Sequence, residues 1–72
     1  MHILVFRTSI ATKKAVAATA SFFNEHPDIM DWSIDLEDWE NILRIESKDD
    51  IDVENLIQHI YTLGYSCEEL ED

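Results

Sequence analysis

The 72-residue sequence predicts an α+β fold with element order βαββαβ. Three observations carry that prediction. Short β-rich segments alternate apolar and polar residues, two longer stretches repeat apolar residues at helical spacing, and polar, Pro or Gly punctuation separates them.

Residues 2–6 (HILVF) form a β-rich apolar run, with Leu4 and Phe6 on one face and Ile3 and Val5 on the other, as expected of a central strand. After Arg7-Thr8-Ser9, Thr12 suits a helix N-cap, and Val16, Ala20 and Phe23 recur at i, i+4 and i+7, predicting a helix that ends near Asn24. His26-Pro27-Asp28 stops it, because proline lacks an amide proton and biases its predecessor away from helical angles. Trp32, Ile34 and Leu36 alternate with Ser33, Asp35 and Glu37, predicting a half-buried strand over 31–36. A polar turn at 38–41 leads to a third strand in which Leu43 and Ile45 alternate with Arg44 and Glu46, so the pair reads as a hairpin. Asp52 suits the N-cap of a second helix, with Glu54 in its first turn and Ile51 and Leu56 placed as a hydrophobic staple. Its apolar stripe is Leu56, Ile60 and Leu63, and Gly64 suits the left-handed position after the last turn. Residues 65–70 supply a final strand before an acidic tail.

Right-handed crossovers turn this order into a ferredoxin-like sandwich, a four-stranded antiparallel sheet with both helices on one face. Length allows one domain, residues 1–72, and no second module. Sixteen acidic residues against five Lys+Arg give a net charge of −11, which repels phosphate backbones and anionic lipid, so neither nucleic acid nor membrane is an expected partner. No apolar run approaches the roughly 20 residues that cross a bilayer. With a single cysteine and no export-type apolar segment, the expected location is cytoplasmic. Charge is unevenly spread: the first 24 residues hold Arg7, Lys13 and Lys14 and no acid, while every acid lies from Glu25 onward.

Along essentially its whole length the chain resembles the heavy-metal-associated, copper-chaperone-like domain family. That family's pattern is a first strand, a Met/Ile-x-Cys-x-x-Cys loop, a helix, a hairpin and a second helix ending in Gly-Tyr. Here Phe6-Arg7-Thr8-Ser9-Ile10 leads into the loop, Ile10 takes the Met/Ile position, and Gly64-Tyr65-Ser66-Cys67-Glu68-Glu69-Leu70 resembles the closing strand. The two cysteine positions hold Thr12 and Ala15, with Lys13 and Lys14 between them. The family binds soft Cu(I) or Zn(II) through two polarizable thiolates, which threonine and alanine do not supply. The lysines add positive charge at a helix start that is itself partly positive, so metal transfer by this loop is not expected and no cofactor is called for.

Cys67 falls where the family has a small core residue, and a buried, inert thiol is expected there. The alternative pairs it with His2 as metal ligands, should the outer strands bring them together. Asp28, Asp31, Asp35, Glu37, Asp38 and Glu40 surround the first hairpin strand without the spacing of a calcium loop, and read as a solvated face. Trp32 is expected in the core and Trp39, between acids in the turn, exposed as a candidate anchor for a partner. No Ser/His/Asp or Cys/His pattern supports catalysis, so no enzyme is expected. The leading expectation is a protein-contact domain, docking on an unidentified protein or on itself through the basic loop of residues 7–14, with Arg7, Lys13 and Lys14 set opposite the acidic hairpin and tail. Metal binding through other ligands, and sensing of a small anion or metabolite at the Thr12-Lys13-Lys14 helix start, are the alternatives. Other ferredoxin-like families, such as amino-acid-sensing regulatory domains, share the element order. Acylphosphatases share it too, but need a phosphate-cradling loop after strand one, and no glycine stands there here.

Overall fold

The structure, a computed structural model, describes residues 2–48 and 51–70. Its elements are β1 (His2–Thr8), α1 (Lys13–Glu25), β2 (Ile29–Ile34), β3 (Ile42–Ser47), α2 (Val53–Thr62) and β4 (Cys67–Glu69). The sheet order is β2-β3-β1-β4 with every neighbouring pair antiparallel, the ferredoxin-like arrangement expected from the sequence. Phe6, Leu43, Ile45 and Cys67 from one face of the sheet form a single buried cluster with Phe23 of α1 and Leu56 and Ile60 of α2. Arg7 and Arg44 lie on the solvent face, because strand residues alternate sides. No described helix is long and apolar enough to cross a membrane.

Several boundaries and faces differ from the sequence expectation. In α1 the buried positions are Ala15, Thr19 and Phe23, with Val16 and Ala20 at the flank. Thr19 reads as polar in sequence, yet its hydroxyl donates to the carbonyls of Ala15 (3.2 Å) and Val16 (3.0 Å), so it enters the core with its polar group satisfied. Strand β2 begins two residues earlier than expected, since Ile29 pairs with Ser47 and Lys48 N–H donates to Asp28 O, extending the pairing backward. It also ends earlier. Asp35 N–H still reaches Ile42 O at 2.9 Å, but the Asp35 carboxylate accepts from Glu37 N–H and turns the chain, leaving Leu36 in the loop.

Leu63 is the C-cap of α2 and 39% exposed, so the apolar stripe stops at Ile60. The bonds Tyr65 N–H to Ile60 O and Gly64 N–H to Tyr61 O form a Schellman closure around Gly64, whose φ is +96°. An added Cβ there meets no atom within 4 Å, so Gly64→Ala costs only the left-handed conformation, about 1 kcal/mol in chemical denaturation. The last strand is three residues rather than six, and the acidic tail at 71–72 and the acids at 49–50 lie outside the described residues. Ser47 is fully buried, and among the described residues its hydroxyl has no hydrogen-bond partner. Ser47→Ala is therefore expected to raise the unfolding free energy by about 1 kcal/mol, measured by urea titration.

Candidate functional site

Strand register brings three loops to one end of the sheet. Arg7 pairs with Ile42 and Thr8 with Cys67, so the loop after β1, the hairpin loop 35–41 and the turn before β4 are neighbours. Thr8 joins two of them: its N–H donates to Glu40 O (3.3 Å), and its hydroxyl donates to Asn41 O (2.7 Å) and accepts from Ile10 N–H (3.2 Å). Ser9 and Ser66 bond to each other twice, closing the third side. Ile10 is completely buried and anchors the loop from beneath.

The hairpin loop is fixed by its own side chains. Asp38 accepts from Glu40 N–H at 2.8 Å, Asn41 N–H donates to Asp38 O, and Asn41 occupies the left-handed region at φ 47°. Asn41→Val is expected to lose about 1–2 kcal/mol and Asn41→Gly to be nearly neutral, because β-branching is strained at that φ. Arg7 Nε and Glu40 Oε2 lie 2.8 Å apart in a partly exposed ion pair. Thus the acidic hairpin stands beside the basic loop rather than opposite it, a correction to the sequence expectation that follows from β3 starting next to Arg7. Trp39, between these fixed residues, is 84% exposed.

Thr12, Lys13, Lys14 and Ala15 start α1. The Thr12 hydroxyl accepts from Ala15 N–H at 3.0 Å, an N-cap as expected, while Ala15 is buried and both lysines are exposed. A soft cation finds nothing here to bind: one hydroxyl already used as a cap, one buried methyl group and two ammonium groups. Cys67 lies at the same end, opposite Thr8, but is only 4% exposed. Burial, and secondarily the charge of Glu69, push its thiol up to about 12. At pH 8 the thiolate fraction is on the order of 10⁻⁴, so alkylation of the folded protein should be near background and become rapid only on unfolding. His2 pairs with Ser47, six residues along β1 from the residue opposite Cys67, a separation of roughly 20 Å. The pairing of His2 with Cys67 as metal ligands is therefore corrected by the strand register. Among the described residues no group of three or more His, Cys, Asp or Glu is placed to hold a metal ion.

No protein-family model matches the sequence, and no curated protein matches it. Solved structures do. A chain of the Atx1–Cu(I)–Ccc2a complex in solution superimposes with a TM-score of 0.84 at 12% identity, covering 100% of this chain and 99% of that one. The yeast copper transporter domain Ccc2a, in its apo and Cu(I)-loaded states, gives a TM-score of 0.83 at 12% identity with the same coverage. The fold is that of these copper domains.

Sequence reading located Ile10, the Thr12 cap and the exposed Trp39 but missed Thr8 and Asn41, which hold the loops together. A threonine ending an apolar strand carries no distinctive signal, because its partners are 32 and 33 residues away at Glu40 and Asn41. Asn41 just before a β-rich run was the one available hint of a left-handed turn. Also unforeseen is the stack of His59 on Phe22, ring centroids 3.9 Å apart and 9° from parallel, which ties α2 to α1.

Proposed function

We propose that residues 1–72 form one heavy-metal-associated-like domain that carries no soft metal in its first loop. It is not an enzyme, and acts by protein contacts made at the end that bears Trp39, Lys13 and Lys14. The observation that carries this reading is Trp39, an indole 84% exposed on a loop pinned by Thr8, Asp38 and the Arg7–Glu40 pair. A large aromatic presented to water on an ordered loop is the feature that anchors interfaces, since its burial on docking is favourable and the backbone beneath it is already fixed. The two exposed lysines nearby in sequence from the fixed Ile10 favour an acidic partner surface and speed its approach. One of the solved structures with this fold is itself a complex of Atx1, Cu(I) and Ccc2a, which is consistent with contact as a use of the fold.

The test is partner capture by the immobilised wild-type domain beside Trp39→Ala and the double variant Lys13→Ala/Lys14→Ala. Trp39→Ala should change stability by less than about 0.5 kcal/mol, because the side chain is exposed, so lost capture would report on contact and not on folding. Tenfold or greater weakening at low salt is expected, and for the lysine pair the difference from wild type should shrink as salt rises. Capture unchanged by all three substitutions and by salt removes the reading. The Cu(I) of the structural neighbours is the observation that favours the second reading, metal carriage through other ligands, and direct Cu(I) titration separates the two.

A further inference from the structure

Strand β2 is an outer strand of the sheet and, at six residues, the longer of the two free edges. Asp35 N–H donates to Ile42 O, so by antiparallel alternation the main-chain groups of Ser33 and Asp31 face β3, and those of Trp32 and Ile34 face outward. Outward N–H and C=O groups on an edge invite another strand. Here the Trp32 N–H donates at 2.9 Å to Oδ1 of Asp31, its own exposed neighbour, and a register irregularity between Ile29 and Asp31 ends the regular ladder.

We propose that Asp31 guards this edge against strand addition by β2 of a second copy of the chain. The regular stretch is short, and its natural antiparallel register is a two-fold centred on Ser33, which would set Trp32 against Ile34 of the second copy. That pairing needs the Trp32 N–H that Asp31 occupies, and it places Asp31 opposite Asp35 of the second copy, two like charges on one face. Trp32 and Ile34 are half-buried apolar residues that an added strand would cover further, so the edge has a reason to pair once the guard is removed. The guard thus combines a local hydrogen bond with a repulsive charge.

Two substitutions separate these parts. Asp31→Asn keeps an acceptor for Trp32 and drops the charge, whereas Asp31→Ala drops both. Sedimentation between about 10 µM and 1 mM is expected to show a monomeric wild type, weak dimerisation of Asp31→Asn and on the order of tenfold tighter dimerisation of Asp31→Ala. Amide exchange in the Asp31→Ala dimer should slow with concentration at Trp32 and Ile34. A folded Asp31→Ala variant that stays monomeric at 1 mM, or a dimer whose newly protected amides lie elsewhere, overturns the proposal.

Discussion

Cysteines installed together at Thr12 and Ala15 are expected to convert a Thr-Lys-Lys-Ala loop without soft ligands into one that binds one equivalent of Cu(I) at sub-micromolar affinity. The backbone there is already ordered by the buried Ile10, by Thr8 and by the Ser9–Ser66 pair of bonds, so the two thiols would be presented on a fixed turn and helix start. A helix N-terminus and two adjacent lysines lower thiol pKa values. A cuprous ion held by two thiolates carries a net charge of −1, so surroundings that repel the bare cation favour the finished complex. The substitution removes the Thr12 cap at a cost of about 1 kcal/mol. It also asks the buried Ala15 position to turn a larger group outward. The gain should appear as Cu(I) withdrawn from a competing chelator by the reduced double variant and not by either single one. A folded double variant without uptake would show that these two positions do not face one another as the family resemblance implies.

Phe23→Ala is expected to be the most damaging single truncation, at about 3–5 kcal/mol. The ring is fully buried and packs against Trp32, with centroids 4.8 Å apart, and against Phe22 at 5.5 Å, so it joins α1 to the β2 edge as well as to the central cluster. For 72 residues the total stability is on the order of 4–11 kcal/mol, so the variant should be partly unfolded at 37 °C. Urea titration and the dispersion of amide resonances measure this. A cooperative transition within about 1 kcal/mol of wild type would mean that the core is organised otherwise.

Legibility in the sequence followed the strength of periodic signals. The element order, the Thr12 and Asp52 caps and Gly64 were readable because each rests on local chemistry that holds before tertiary structure forms. Strand ends were not, since β2 is set by bonds from Asp28 and Asp35 that alternation does not encode. The buried face of α1 was misplaced by one position in its first two turns, because Thr19 counts as polar until its hydroxyl is seen to bond within the helix. At the candidate site, Trp39 was readable from its acidic neighbours, while the Arg7–Glu40 pair depends on strand register and therefore on the fold. Registration also separated His2 from Cys67, a juxtaposition that composition alone left open.

Whether the first loop lacks soft ligands for copper is tested most directly by Cu(I) titration of the reduced wild-type domain against a chromophoric chelator. The prediction is that the chelator keeps all of its Cu(I) and the amide resonances of residues 9–15 and 67 stay in place. Withdrawal of one equivalent at sub-micromolar affinity would contradict it.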